Sequence, residues 1–131
     1  MRLGASIRIL GVLTVMFSLA LLVPLFVSVF YDDGQATAFL YSFICIASLG
    51  CTMFALTINT RRDVSTRDGF FITSMFWLGL GLLGSLPFLF SNSLHLSFIN
   101  AAFESISGLT TTGATVLTGL DDMPQSILFY R

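Results

Sequence analysis

The sequence predicts an all-α membrane protein: three transmembrane helices, then a short re-entrant helix with an extended loop, then the start of a further helix. Three observations carry that prediction. Hydrophobic residues make up 55% of the 131 residues and charged residues only 10%, where an ordinary soluble domain carries about 25% charged residues. Three apolar runs, 9–31, 35–60 and 69–90, contain no charged residue, and each is long enough to cross about 30 Å of hydrocarbon. Beyond the third run lies a stretch of threonine and glycine too polar and too irregular to be a fourth ordinary span. The net charge of −1 says little, because in a membrane chain the placement of charge matters more than its sum.

Residues 1–8 form a short leader with Arg2 and Arg8. A positive start before an apolar run also describes a signal peptide. This run is too long for a signal core, however, and no small-residue cleavage site precedes Asp32. Pro24 falls inside the first span and is expected to kink it, which membrane helices tolerate. The turn Tyr31-Asp32-Asp33-Gly34 has no basic residue.

In the second span, Cys45 and Cys51 stand six positions apart, roughly 9 Å along a helix axis. That is too far for a disulfide within the helix, and the spacing is no metal motif, so both are read as apolar packing residues. Residues 61–68 then bring Arg61, Arg62 and Arg67. Basic residues mark cytoplasmic loops, so the leader and this loop are cytoplasmic and the Asp32-Asp33 turn lies outside.

The third span carries Gly79, Gly81, Gly84 and Ser85, small residues that let another helix approach closely. Trp77 sits mid-span, which predicts packing inside a bundle. Pro87 and Ser91-Asn92-Ser93 end the helix near the outer surface. Residues 94–109 read as a short helix, with Phe98, Ala102, Ile106 and Leu109 at 4-4-3 spacing along one face. His95 lies at its outer start, as an interfacial residue or a proton-sensing one.

Thr110, Thr111, Thr112 and Thr115, together with Gly108 and Gly113, then make a poor helix. Threonine is β-branched and bonds locally, and glycine weakens a helix further. Non-helical backbone at membrane depth is tolerated only where it is buried in protein or lines a water-filled cavity. Glycine can take positive φ and turn its carbonyl toward an axis, and carbonyls so aimed replace the hydration shell of a potassium ion. Gly119 turns the chain, and Asp121, Asp122 and Pro124 mark a helix start.

Competing chemistries fail on residue content. The Gly108–Gly113 spacing has no lysine and is not a phosphate-binding loop. No nucleophile with its base and no metal-ligand cluster stands out in the sequence, so the chain does not read as an enzyme and calls for no cofactor. The rival reading is a small non-conducting membrane protein packing on a partner through Gly79, Gly81 and Gly84. Irregular backbone within the membrane argues against it, because a scaffold has no use for it.

The run Phe103-Glu104-Ser105-Ile106-Ser107-Gly108-Leu109-Thr110-Thr111-Thr112-Gly113-Ala114-Thr115-Val116 closely resembles the first pore loop of the TrkH potassium-uptake family, in the wider Trk/Ktr/HKT superfamily. Leu117-Thr118-Gly119-Leu120-Asp121-Asp122-Met123-Pro124 and Ser126-Ile127-Leu128-Phe129-Tyr130-Arg131 continue the likeness. The resemblance implies two leading transmembrane helices (1–60), a cytoplasmic loop (61–68) and the first, incomplete helix–pore loop–helix repeat (69–131). It further implies four such repeats around one axis in a chain several times longer. A chain with one filter segment is therefore expected to be an N-terminal fragment that conducts nothing alone.

The resemblance assigns site residues as well. Thr110, Thr111, Thr112, Gly113 and Ala114 would bind potassium as one quarter of a selectivity filter, with the ion at Thr111, Thr112 and Gly113. Glu104 and Gly108 would support the filter: Glu104 as an anchor for filter backbone amides or as a functional intramembrane carboxylate, and Gly108 at the end of a pore helix whose last carbonyls favour a cation. Ala114 and Thr115 stand where tetrameric potassium channels carry tyrosine and a second glycine, which leaves stringent selectivity over sodium open. The implied partners are potassium, the lipid bilayer, a second copy of the chain in a homodimer and a cytosolic nucleotide-binding subunit of TrkA type, with no nucleic acid. The implied location is the bacterial inner membrane, with the N-terminus cytoplasmic.

Overall fold

A computed structural model of the chain describes residues 3–60, 63–91 and 95–130. The described residues are helical apart from turns and one extended segment. Arg2, Arg61, Arg62, Asn92, Ser93, Leu94 and Arg131, which bear on the sequence expectations, lie outside them.

The first span is two helices, α1 (Leu3–Ala20) and α2 (Leu22–Tyr31). Pro24 has no N–H for the Ala20 carbonyl, and its ring crowds that oxygen. The helix breaks at Leu21, whose N–H turns back to the Ser18 carbonyl at 3.1 Å. The helix is thus interrupted near the expected place, three residues before the proline, while Leu21 itself keeps helical dihedrals. The leader is itself helical from Leu3. Arg8 donates to the Ile58 carbonyl at 3.2 Å and lies 5.1 Å from the Phe54 ring centroid. It thereby pins α1 to the end of α3 (Ala36–Leu56).

Two glycines bring these spans together. A Cβ on Gly50 would sit 2.9 Å from the Gly11 carbonyl, and one on Gly11 would sit 3.0 Å from the Gly50 carbonyl. Backbone meets backbone there, the close approach that small residues permit in membrane helices.

The third span starts earlier than the apolar run, at Thr66, in α4 (Thr66–Leu83). Ser65 accepts from the Asp68 N–H at 3.4 Å, while Asp68 accepts from the Ser65 N–H at 3.2 Å. This capping box places Arg67 and Asp68 in the helix rather than in the preceding loop. Pro87 interrupts the helix at Gly84–Ser85 by the same mechanism as Pro24. The helix then resumes as α5 (Leu86–Phe90) before Ser91 closes it. The three spans are 29, 21 and 25 residues long, and all are apolar enough to cross a membrane.

Two packing expectations meet exposed side chains among the described residues. Trp77 is 51% exposed. Cys45 and Cys51 are free, as expected, but both are exposed on the outward side of α3. Mid-span position fixes depth in a bilayer and leaves the direction around the helix open.

α6 (Phe98–Leu109) begins four residues later than the apolar pattern suggests, with the Ser97 hydroxyl accepting the Asn100 N–H at its start. An extended segment follows, then a single 3-10 turn (Leu120–Asp122) and α7 (Gln125–Tyr130). Phe39, Phe88, Ala101 and Ile127, from α3, α5, α6 and α7, make the buried core at this end. The Tyr130 ring packs edge-on to Phe39 at 5.5 Å and tilted against Phe88 at 5.4 Å, and its hydroxyl donates to the Gly84 carbonyl at the Pro87 break, 2.7 Å away.

Candidate functional site: the loop after α6

α6 ends in a Schellman-type cap. Thr111 takes the left-handed conformation with φ 57°. The Thr111 N–H donates to Gly108 at 3.2 Å and the Thr112 N–H to Ser107 at 3.0 Å, the two bonds that define this motif. Glycine normally occupies that position, and a threonine there is strained. The Thr110 N–H and hydroxyl both reach the Ile106 carbonyl, at 2.9 and 2.8 Å, and the hydroxyls of Thr110 and Thr112 share a 2.8 Å bond. Three of the last carbonyls of α6 are thus taken up by the turn itself, which reduces the number left to face a cation.

Gly113 follows with φ 79°, and a Cβ there would meet nothing within 4 Å. Glycine is required here by backbone conformation, not by space. Residues 110–116 are exposed along the loop. Among the described residues, no hydrogen bond ends on the carbonyls of Thr111, Thr112 or Gly113.

Behind the loop, α6 supplies two anchors one turn apart. Glu104 is 2% exposed. It accepts the Thr115 hydroxyl at 2.9 and 3.0 Å and the Val116 N–H at 3.1 Å. The Thr115 hydroxyl in turn accepts the Leu117 N–H at 3.0 Å. Ser107, buried on the same face, donates its hydroxyl to the Ala114 carbonyl at 2.6 Å. Of the expected site residues, Glu104 and Gly108 make contacts that shape the loop, and Thr110 to Gly113 form its open part. Ala114 differs, because its carbonyl is engaged by Ser107. His95 is exposed, with φ 48°, three residues before the first residue of α6.

Sequence reasoning missed Ser107 and Thr115 as partners, although Ser107 stands one helical turn after Glu104 and so shares its face. Gly81 and Gly84 do pack, against Ile106 at 2.8 Å and Ser105 at 2.5 Å from a notional Cβ, and so seat α6 on α4. A Cβ on Gly79 would meet nothing within 4 Å.

Residues 35–131 match the family model described as TrkH, cation transport protein. The chain is 45% identical over its whole length to the Trk system potassium uptake protein TrkH of Halomonas elongata and 43% identical to that of Escherichia coli K12. It spans 27% of the length of each of these relatives. The crystal structure of the potassium transporter TrkH from Vibrio parahaemolyticus superimposes with a TM-score of 0.92 at 42% identity, over 99% of this chain and 28% of that one. With a family model matched across most of its length and this backbone agreement, the chain belongs to the TrkH family of cation transport proteins.

Proposed function

We propose that this chain contributes one segment of a potassium-conducting pore. The carbonyls of Thr110, Thr111, Thr112 and Gly113 would line the ion path, and Ala114 would stand at its outer edge. The carrying observation is the loop backbone. It is reversed at Thr111 and Gly113 and tied from behind by Glu104, while the carbonyls between are left without a partner among the described residues. Such oxygens can take the place of an ion's hydration shell. α6 and the loop would then form a re-entrant pore helix and filter, with α7 the start of the helix that leads back across the membrane. The relatives' names describe uptake rather than catalysis, and potassium is cargo here, with no cofactor in the mechanism.

The remaining parts of the proposal follow from the family and from the two ends of the molecule. Arg8 and the end of α3 lie at one end, and Asp33, Ser91 and Ser126 at the other, which fits a cytoplasmic N-terminus in a bacterial inner membrane. A homodimer and a cytosolic nucleotide-binding subunit of TrkA type complete the proposed assembly. One filter segment cannot surround an ion, so the 131 residues alone would not conduct.

The test is a chimera in which this chain replaces the matching stretch of the Escherichia coli relative, expressed in cells without potassium-uptake systems. Rubidium uptake by the chimera, an altered ion preference in Gly113→Ser and silence from the 131 residues alone are the expected results. Unchanged uptake and preference in Gly113→Ser would remove Gly113 from the filter. Uptake by the 131 residues alone would overturn the need for further segments.

A further inference from the structure

We propose that Ser107 is a specificity-determining positioning residue: it holds the Ala114 carbonyl back against α6, so that the ion-facing ladder of this segment ends at Gly113. The inference rests on the filter reading above. Ser107 is 6% exposed, and its hydroxyl lies 2.6 Å from the Ala114 oxygen. A carbonyl accepting a bond from the helix behind the loop cannot also aim that lone pair at an ion in front of it.

The neighbouring peptide is fixed from the same side. One turn earlier on α6, Glu104 takes the Val116 N–H at 3.1 Å and the Thr115 hydroxyl at 2.9 Å. The Ala114–Thr115 peptide is thus held by its oxygen and the Thr115–Val116 peptide by its nitrogen. Each anchor uses a different chemistry suited to its target, a donor for the carbonyl and an acceptor for the amide. No such bond reaches the carbonyls of Thr111, Thr112 or Gly113 among the described residues. Ser107 therefore marks the point where the backbone changes from facing the ion to facing its own scaffold. A shorter ladder gives the ion fewer coordinating oxygens, and the number of oxygens is one determinant of the preference for potassium over sodium.

The experiment measures the rubidium-to-sodium uptake ratio in the chimera for wild type, Ser107→Ala, Ser107→Cys, Ser107→Thr and Gly113→Ser. A cysteine thiol is only a weak donor, so it weakens the bond while still filling the space behind the loop, whereas threonine keeps the hydroxyl. The expected result is a rise in the ratio of about two- to tenfold in Ser107→Ala and Ser107→Cys, the factor one net hydrogen bond supplies, with Ser107→Thr at the wild-type ratio. If Ser107→Ala does not accumulate, Ser107→Cys decides. An unchanged ratio in the hydroxyl-free variants overturns the proposal. So does a fall, which would assign the bond to stiffening rather than withholding, and so does a threonine variant that behaves like alanine. A shift in Gly113→Ser without one at Ser107 sinks this inference alone; no shift at either position sinks the filter reading with it.

Discussion

The Asp33 carboxylate accepts both the backbone N–H and the hydroxyl of Ser126, at 2.9 and 2.6 Å, across 93 positions of sequence. The same carboxylate accepts the Ser28 hydroxyl and the Gln35 N–H. The turn between α2 and α3 therefore caps the first turn of α7, the helix that follows the loop after α6. Nearby, the Ser91 hydroxyl donates to the Gln35 side chain and ties the end of α5 to the start of α3. The two leading helices are in this way bonded to the later part of the chain, and they brace the start of α7.

Removing that brace should cost stability, and the cost should be shared between its two ends. Hydrogen bonds to a charged group contribute about 1.5–3 kcal/mol. Asp33→Ala and Ser126→Ala are each predicted to lower the thermal midpoint of the detergent-solubilised chimera, and the double variant to lower it by less than the sum. Additive losses would show that the two residues act independently.

The pH dependence of the brace follows from the same contacts. Burial pushes the Asp33 carboxyl up, but the Ser126 and Ser28 hydroxyls and the Ser126 and Gln35 amides outweigh it and hold the group below its ordinary value. A carboxyl lowered in the folded state contributes stability that is full above the unfolded value, about 3.9, and is lost as the pH falls through the folded value. The Asp33–Ser126 coupling energy is therefore predicted to be the same at pH 7 and pH 5 and to shrink only in stronger acid. A coupling that fades between pH 7 and pH 5 would contradict the bonding seen here.

The glycines of the spans should separate sharply under substitution. Gly50→Val must push a side chain into the Gly11 carbonyl, and a backbone atom cannot yield as a flexible side chain can. Gly79 has open space, and replacing a helical glycine by alanine removes a penalty of about 1 kcal/mol. Gly50→Val is predicted to lower the thermal midpoint or abolish accumulation, while Gly79→Ala leaves it unchanged or raises it. Equal tolerance at both positions would mean that α1 and α3 do not meet at Gly11 and Gly50.

These cases also show which features were legible in the sequence. The three spans, the helix break before Pro24 and the irregular loop after Gly108 follow from local chemistry: hydropathy over a window, a missing N–H and poor helix formers. The bonds from Glu104 to the loop were among the expected ones, because a carboxylate on the helix before the loop sits behind it. The start of α4 was written in Ser65 and Asp68 but hidden by the arginines around it, since charge suggested a loop while the capping box specified a helix. The Asp33–Ser126 and Gly11–Gly50 contacts had no local signal. An aspartate in a turn and a glycine in a span each have many uses, and only the path of the chain selects one. Trp77 illustrates the same limit in reverse: its depth could be read from the sequence, but the side of the helix it faces is set by neighbours distant in sequence.

Glu104 offers the decisive separation between anchoring the loop and meeting the ion. Its carboxylate accepts from both the Thr115 hydroxyl and the Val116 N–H, and glutamine keeps only one acceptor oxygen and no charge. Glu104→Gln is predicted to lower the thermal midpoint of the chimera together with rubidium uptake, and Glu104→Ala to lower both further by leaving the Val116 N–H without this acceptor. Thr115→Val removes the hydroxyl while keeping the branched shape, so its loss should be smaller and should largely disappear in the Glu104→Gln background. A carboxylate that served the ion directly would behave differently. Its removal would cut uptake while the thermal midpoint and the effect of Thr115→Val stayed as they were, because the loop would not have depended on it for its shape.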